Sequence, residues 1–295
     1  MSTLILPDGR VYGYEQWGDT AGLPLFSIHG TPGGRLNRYP DVSLWERLGL
    51  RVITVDRPGF GLSTPLPGRA VAHVAADVAA VADHLGLGRF AVQGGSGGGP
   101  HALAIAALLG DRVLACAAVC SGAPLEPDEV AAMLEINQES YRIMTEQGRA
   151  GLTEFLAPWR EQMLADPVAG LDAAMADAPP QDHDWLARPD VQRVHAESLT
   201  DALTPGLEGW VDDAMSMEAQ PWGFDLAAIS CPTHFWHSDD DANCPISATR
   251  RLVDAVPGAR LTIWHGQGHT APSRNAEQVL TELIAAARAR ELAPS

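Results

Sequence analysis

Ser96 lies at the centre of a glycine-rich stretch, Gly94-Gly95-Ser96-Gly97-Gly98, which has the pattern G-x-S-x-G. The preceding residues have the pattern of a short buried strand, and those after Pro100 have that of a helix. A serine on such a tight strand-to-helix turn holds its hydroxyl above the sheet, and small neighbours let strand and helix approach each other. The N-terminus of the helix supplies backbone N–H groups where an oxyanion would form. The stretch therefore favours a serine nucleophile that carries out acyl transfer.

A glycine-rich turn between strand and helix can instead bind phosphate. A dinucleotide-binding turn needs G-x-G-x-x-G with a later carboxylate for the ribose, and a P-loop ends in G-K-[ST]. The glycines around Ser96 can be aligned with the first pattern, but they lie well inside the chain, and the sequence contains no lysine. The stretch alone favours the nucleophile, and the candidate partner residues decide between the two interpretations.

A serine hydroxyl needs a base to remove its proton and a carboxylate to hold that base. In a strand–turn–helix arrangement of this kind the acid follows the serine in the chain, and the histidine comes last. Asp239, Asp240 and Asp241 follow one predicted strand, and His265 and His269 follow the next. Successive aspartates are commonly turn formers, but one of them can orient a histidine. His265 ends a strand, whereas His269 is free to reach back over the sheet.

Strand and helix patterns alternate along both ends of the chain. Residues 3–18 have the pattern of a hairpin. Further strands are predicted at 25–29, at 51–55, in the short run of residues up to Gly94, and at 113–119, 233–237 and 260–264. Helices are predicted near 45–48 and at 70–86, 101–109, 248–256 and 276–290. Such alternation predicts a mostly parallel sheet covered by helices on both faces.

The segment 124–222 is different, because its strand signal stops. One helix is predicted to begin at Pro127 and end at Gly148, followed by helices at 155–164, 185–203 and 207–217. The segment has 20 acidic residues against five arginines, whereas the rest of the chain has 17 acids against 15 arginines. This asymmetry predicts a separately folded helical insertion, with residues 1–123 and 223–295 forming the α/β core domain.

Composition excludes several classes of protein. The chain has 295 residues and a net charge of −17, which argues against nucleic acid as a partner. No apolar run approaches the ~18 residues of a membrane span, and the N-terminus lacks the features of a signal peptide. The four cysteines show no C-x-x-C spacing. We therefore expect reduced thiols and a cytoplasmic protein.

The chain resembles the α/β-hydrolase superfamily, in its branch with a serine nucleophile and a helical cap. Five motifs carry the resemblance, each at the end of a predicted strand: His29-Gly30-Thr31-Pro32-Gly33, Asp56-Arg57-Pro58-Gly59-Phe60-Gly61, Gly94-Gly95-Ser96-Gly97-Gly98, Asp241-x-x-x-Pro245 and Gly266-x-Gly268-His269. Together, in the family's order, they span nearly the whole length. The resemblance implies a doubly wound, mostly parallel sheet with an inserted all-helical cap.

The resemblance also implies roles for single residues. Ser96 would be the nucleophile, His269 the general base and Asp241 the orienting acid, and the backbone N–H groups of Gly97 and Thr31 would form the oxyanion hole. The family commonly has glycine three residues before the acid. This chain has Ser238 there, so Asp240 is kept as the alternative acid.

The activity implied is hydrolysis of an ester or lactone of a moderately apolar small molecule through an acyl-enzyme, with no cofactor or metal. A serine at the elbow argues against the dehalogenase and epoxide-hydrolase relatives, which need a carboxylate nucleophile. The alternatives are an aminopeptidase-like amidase, a lyase or cyclase, and a small-molecule receptor on the same fold. Proline iminopeptidase relatives use acidic cap residues, but they usually have a bulky aromatic residue where this chain has Gly97. The oligomeric state is not predicted.

The insertion is expected to select the substrate. Its acidic character fits solvated helix faces, and the alternative is attraction of a cationic substrate group. Apolar residues of the insertion are candidates to line the pocket: Met133, Met144, Trp159, Trp210, Met217 and Trp222, and further Met163, Trp185 and Met215.

Overall fold

Eight strands form one sheet in this computed structural model, which describes residues 2–292. In chain order they are β1 (Ser2–Ile5), β2 (Val11–Gly18), β3 (Leu23–Ile28), β4 (Leu50–Val55), β5 (Phe90–Gly95), β6 (Val113–Val119), β7 (Thr233–Ser238) and β8 (Arg260–Trp264). Their order across the sheet is β1-β2-β4-β3-β5-β6-β7-β8. β2 pairs antiparallel with β1 and β4, and every pair from β4 to β8 is parallel.

Twelve α-helices accompany the sheet in residues 2–292. They are α1 (Ser43–Arg47), α2 (Val74–His84), α3 (Gly98–Leu109), α4 (Pro127–Val130), α5 (Glu135–Ala165), α6 (Pro167–Ala174), α7 (Pro180–Leu186), α8 (Pro189–Leu203), α9 (Glu208–Glu218), α10 (Ile246–Ala255), α11 (Ala271–Arg274) and α12 (Ala276–Leu292). None of them is long and apolar enough to cross a membrane.

The sheet separates two apolar cores. α2, α3 and α10 pack on one face around Phe26 and Val92, and α1 and α12 pack on the other around Leu25 and Ala91. Neighbouring residues of one strand thus point to opposite faces. β6 is buried along its whole length, as expected for a parallel strand covered on both sides. The doubly wound α/β architecture predicted from the sequence is confirmed.

The predicted strands and the N-terminal hairpin are confirmed, but the order of the edge strands was not predicted. β2 pairs with β4 rather than with β3, its neighbour in the chain. The predicted helix over 70–86 begins as a 3₁₀ turn at Val71–His73 before α2.

The sequence prediction was wrong for the helix over 127–148. α4 has only four residues, and α5 begins separately at Glu135. α5 does not end at Gly148 but bends there, where φ is 64°, and continues to Ala165. Glycine accepts this left-handed conformation readily, and the later turns stay helical because Leu152 and Leu156 pack in a buried cluster with Met144.

The predicted helix over 185–203 is divided in two. Trp185 and Leu186 end α7, and Pro189 begins α8. Proline is favoured in the first turn of a helix, where its missing N–H is not needed. The sequence prediction also omitted α6 and the short α11.

We call residues 124–222, which contain α4–α9 and join β6 to β7, the helical insertion. Its backbone contacts the core closely where α9 crosses the turn after β4. A Cβ on Gly209 would lie 2.7 Å from the carbonyl carbon of Gly59, and one on Gly59 would lie 2.7 Å from the Gly209 Cα. Only glycine allows this approach.

Candidate active site

Ser96 occupies a strained turn between β5 and α3. Its φ of 54° is positive, which is uncommon for a residue other than glycine. Hydrogen bonds hold the turn, since Ser96 N donates to Val119 O (3.1 Å) and Ser96 O accepts from Gly99 N (2.9 Å) and Gly122 N (3.0 Å). The strain is therefore stabilised by the neighbouring strand and helix.

The glycines around Ser96 allow the backbone segments to meet. A Cβ on Gly94 would overlap the carbonyl oxygen of Gly98, and a Cβ on Gly98 would overlap that of Ile28 on β3. The glycine-rich pattern read from the sequence thus has a steric cause.

Asp241 and His269 meet above the carboxyl ends of β7 and β8. His269 Nδ1 lies 2.9 Å from Asp241 Oδ2 and 3.0 Å from Oδ1. A carboxylate can only accept, so Nδ1 carries the hydrogen and Nε2 is left as an acceptor. The backbone N–H groups of Asn243 and Cys244 also donate to Asp241, each at 2.9 Å.

The pKa values of this pair move in opposite directions. Burial lowers the pKa of His269, but the charge and the hydrogen bond of Asp241 more than offset it, and the net shift is upward. Burial raises the pKa of Asp241, but the charge and hydrogen bond of His269 reverse this, and the net shift is downward. Asp241 is therefore a carboxylate at neutral pH.

The neighbouring aspartates do not contact His269. Asp240 is exposed and accepts a long hydrogen bond from Gln181 Nε2 (3.4 Å). Asp239 pairs with His265 (2.6 Å) and accepts from the N–H of Gly266. The geometry thus distinguishes Asp241 from Asp240, the alternative kept from the sequence.

Thr31 and Gly97 lie side by side next to Ser96. A Cβ on Gly97 would lie 3.3 Å from Thr31 N and would overlap Thr31 Oγ1. Neither backbone N–H donates to a protein acceptor within residues 2–292. Gly97 is also the N-cap of α3, at the positive end of the helix dipole. This pair of unused donors can hold an oxyanion.

The helical insertion holds the Thr31 turn through a buried carboxylate. Thr31 Oγ1 donates to Asp213 Oδ2 of α9 at 2.6 Å, and Arg57 and Arg69 both pair with the same carboxylate. Asp213 and Arg57 have no exposed surface, and Arg69 has 3%. His29 Nε2 accepts from the N–H of Arg57 at 3.1 Å, so His29 shapes the turn.

A second buried carboxylate of the insertion holds the His269 loop. Asp182 of α7 accepts from His269 N (2.9 Å), Thr270 N (2.8 Å) and Thr270 Oγ1 (2.6 Å), and it is fully buried. A Cβ on Gly268 would overlap this carboxylate. The insertion thus contacts two of the loops that carry candidate catalytic groups.

Ser96 and His269 border one cavity of about 410 Å³. No hydrogen bond joins the Ser96 hydroxyl to His269 among the described residues, and catalytic hydrogen bonds are commonly long in a protein without substrate. No Asp or Glu lines the cavity in the part of the chain described, and the guanidinium of its one arginine, Arg38, is bound to Leu36 O and Glu197.

One group of side chains is spaced to offer ligands to a metal ion. Ligand atoms of Cys120, Asp241 and His269 lie within 4.8 Å of one another, although the sequence predicted no ligand cluster. Burial raises the pKa of the Cys120 thiol well above its usual range, so it stays protonated. The other two members, Asp241 and His269, are already hydrogen-bonded to each other, so the group is this pair with a thiol beside it.

Comparison with known proteins identifies the family to which this fold belongs. The model of a family described as "alpha/beta hydrolase fold" matches residues 24–272. The chain belongs to the α/β-hydrolase fold family. It is 27% identical over 280 residues to a non-heme haloperoxidase of Rhodococcus erythropolis (94% of this chain, 96% of the relative). It is 23% identical over 289 residues to a bifunctional esterase/perhydrolase of Acinetobacter calcoaceticus (97% and 99%). The structure of a thermophilic esterase from Thermogutta terrifontis superposes with a TM-score of 0.67 at 24% identity, covering 98% of each chain.

Most of the insertion residues that were expected to line the cavity of this α/β-hydrolase do not line it. Three of the candidates named from the sequence line the cavity: Trp210, Trp185 and Met163. Met175 also lines it, although it was not among those candidates. The other candidates do not border the cavity: Met133, Met144, Trp159, Met215, Met217 and Trp222.

The reason is that amphipathic helices of the insertion bury much of their apolar surface against each other. Met144 packs with Leu152 and Val211, whereas Trp222 packs on the α/β core and donates its indole N–H to Met217 O (2.9 Å). Periodicity predicts that such residues are buried, but it does not distinguish a helix interface from a cavity wall.

Asp182 and Asp213 were not singled out in the sequence of this α/β-hydrolase. They are two of the 20 acids in an acidic segment, and no local pattern marks them. In the sequence there was an indication only for the partner of Asp213, because Arg57 belongs to a motif at the end of a predicted strand.

Proposed function

We propose that this α/β-hydrolase is a serine hydrolase that cleaves an ester or lactone of a moderately apolar small molecule. One observation carries the proposal: His269, which is hydrogen-bonded to Asp241, borders the same cavity as Ser96, and Ser96 lies at positive φ beside two unused backbone donors. These are the parts that acyl transfer to serine requires.

The mechanism follows from the orientation of the groups. Ser96 Oγ attacks the substrate carbonyl while His269 Nε2 takes its proton, and Asp241 stabilises the imidazolium. The N–H groups of Thr31 and Gly97 bind the oxyanion. His269 then protonates the leaving alcohol, and an acyl-enzyme forms. A water molecule, activated by the same histidine, releases the acid and restores Ser96.

The lining of the cavity supports an uncharged substrate. Met163, Met175, Trp185 and Leu199 form an apolar wall, and no carboxylate borders the cavity among the described residues. An aminopeptidase-like amidase would need such a carboxylate to bind the amine. In addition, the Thr31 side chain fills the space beside Gly97 that a bulky residue would need. Both observations favour the ester over the amide.

Reaction with a fluorophosphonate probe tests the proposal. We expect labelling of Ser96, identified by mass spectrometry, and loss of labelling in Ser96→Ala. Hydrolysis of p-nitrophenyl acetate should fall by about four orders of magnitude or more in that variant. The control is Ser230→Ala, because Ser230 is exposed and does not border the cavity. Absence of labelling in the folded protein would contradict acyl transfer and favour a receptor, or a lyase that uses the residues only for proton transfer.

The names of the two relatives favour a second candidate, transfer of the acyl group to hydrogen peroxide. Peroxide would replace water in attacking the acyl-enzyme, giving a peracid and free Ser96. Peracid formed from acetate and peroxide oxidises bromide, and the bromination of monochlorodimedone reports it. Bromination that is lost in Ser96→Ala would support this second candidate. A protein that hydrolyses esters but gives no bromination would exclude it.

A further inference from the structure

Two half-buried polar side chains lie in the middle of the sheet, on the face that helices α1 and α12 cover. Ser27 of β3 and Gln93 of β5 are paired in register. The residues two positions earlier on the same face, Leu25 and Ala91, belong to the buried core between the sheet and helices α1 and α12. Ser27 and Gln93 are only half-buried although their strands are central, and both border the 410 Å³ cavity.

The cavity therefore has two parts. One lies under the helical insertion, and the other, which we call the core arm, extends along the sheet below Ser96. The core arm is bordered by Ser27 and Gln93 and by apolar side chains from α1, β6 and α12: Trp45, Val119, Val279 and Leu280. Gln93 lies three residues before Ser96, so the polar pair is roughly 10 Å from the Ser96 backbone along the direction of β5.

The polar pair has unused hydrogen-bonding capacity. Gln93 Nε2 donates to Ser27 Oγ at 3.1 Å. Within residues 2–292, Gln93 Oε1 has no donor and the Ser27 hydroxyl has no acceptor. A hydroxyl can donate one hydrogen bond and an amide oxygen can accept two, so the pair offers both a donor and an acceptor to the cavity.

The neighbouring strand explains why this capacity is specific to the pair. Thr54 of β4 lies next to Ser27 in the same row across the sheet, but its hydroxyl already donates to Arg35 O (2.6 Å) and accepts from Trp17 Nε1 (2.9 Å). On the other side Gln93 is paired with Ala117, which has no polar side-chain atom. Of the four adjacent residues Thr54, Ser27, Gln93 and Ala117, only Ser27 and Gln93 are polar and still have unused hydrogen-bonding capacity.

We propose that Ser27 and Gln93 form a hydrogen-bonding subsite that selects substrates with an uncharged hydroxyl or carbonyl group at the far end of an aliphatic chain. The inference rests on the ester or lactone hydrolysis proposed above and names its substrate class. The apolar walls accommodate the chain, and the pair binds the terminal polar group in place of water. A charged terminal group would meet no counter-charge in the core arm.

Two esters of equal size test the subsite. p-Nitrophenyl 6-hydroxyhexanoate and p-nitrophenyl heptanoate differ by a terminal hydroxyl in place of a methyl group. We expect kcat/KM to favour the hydroxy ester by about tenfold or more, because a site built for a hydrogen bond discriminates against an analogue that lacks it. Gln93→Leu should abolish the preference, and Ser27→Ala should reduce it.

The matched control is Gln162→Leu, the same substitution at an exposed position of α5 away from the cavity. It should leave the preference unchanged. Equal preference in the wild type, Gln93→Leu and Ser27→Ala would overturn the subsite.

A binding measurement keeps the subsite testable apart from hydrolysis. 7-Hydroxyheptan-2-one and octan-2-one have the same shape and the same difference at the chain end, and Trp45, Trp185 and Trp210 at the cavity report binding by fluorescence. We expect tighter binding of the hydroxyketone to Ser96→Ala, and loss of this difference when Gln93→Leu is added. If this result is obtained without any ester hydrolysis, the subsite stands and the proposed function fails. If esters are hydrolysed through Ser96 but neither measurement discriminates, the proposed function stands and the subsite fails.

Discussion

At the scale of single residues, the candidate site depends on the charge of Asp241 beside His269. Asp241 is buried, and its negative charge is stabilised by backbone N–H groups and by the histidine. His269 keeps 19% of its side chain exposed, on the side that borders the cavity. The net pKa of His269 is above its usual value of 6.5, because the carboxylate outweighs burial.

This shift predicts the pH dependence of hydrolysis. His269 must be neutral to take the proton of Ser96, so kcat/KM should fall as the pH drops through a value above 6.5. Asp241→Asn should lower kcat by about 10⁴-fold and move the remaining acidic limb to lower pH, since burial is left as the larger influence. Asp239→Asn is the control, because Asp239 contacts the exposed His265 instead. If the acidic limb of the pH profile lies at the same pH in Asp241→Asn as in the wild type, the assignment of Asp241 as the orienting acid of His269 is contradicted.

At the scale of elements, helices of the insertion hold two of the loops that carry the candidate catalytic groups. α7 contributes Asp182 to the His269 loop, and α9 contributes Asp213 to the Thr31 turn. Each carboxylate accepts hydrogen bonds from the loop it holds, and each is shielded from water. The insertion therefore holds both loops in place as well as forming part of the cavity wall.

Replacing Asp182 should lower the pKa of His269. Asp182→Asn removes a negative charge that raises the pKa of His269, so the acidic limb should shift to lower pH and kcat should fall by about tenfold as the loop loosens. Asp190→Asn, at an exposed ion pair with Arg188, is the control and should leave both unchanged. Equal KM and kcat in Asp182→Asn and the wild type would argue that the contact is only structural.

The close approach of α9 to the core makes a second prediction at this scale. Gly209→Ala would place a Cβ against the backbone of Gly59 and should lower the free energy of unfolding by about 1–3 kcal/mol. Gly88→Ala is the control, since a Cβ on Gly88 meets nothing within 4 Å. Urea unfolding measures the stability of both variants. Equal urea midpoints for Gly209→Ala and the wild type would show that the backbones of α9 and the Gly59 turn can separate at low energetic cost.

At the scale of the whole molecule, the parts that local patterns determine could be predicted from the sequence. Apolar runs and strand–helix alternation identified the sheet, and the motifs identified Ser96, Asp241 and His269 as candidates that the fold brings to one edge. The cavity wall could not be predicted, because Met144 and Met163 have equivalent helical patterns and differ only in what lies opposite. Asp182 and Asp213 could not be identified, because their partners lie far away in the sequence.

The buried ion pairs of Asp213 join insertion and core, and removing the charge should destabilise the entire fold. Asp213→Asn leaves Arg57 and Arg69 buried without a counter-charge, which costs about 3–5 kcal/mol. Chemical denaturation of Asp213→Asn should show a single transition at a lower denaturant concentration than in the wild type. The control is Asp190→Asn, which breaks an exposed ion pair and should change the free energy of unfolding by about 0–1 kcal/mol. A separate early transition of the insertion would instead indicate that it unfolds independently.

The buried aspartates of the insertion have a consequence for protein engineering. The helical insertion forms part of the cavity wall, so exchanging it for another segment would change what the cavity accepts. A foreign segment without acids at the positions of Asp182 and Asp213 would leave Arg57 and Arg69 without a counter-charge and the His269 loop without these hydrogen bonds. A working chimera must therefore carry these two acids along with its new pocket lining.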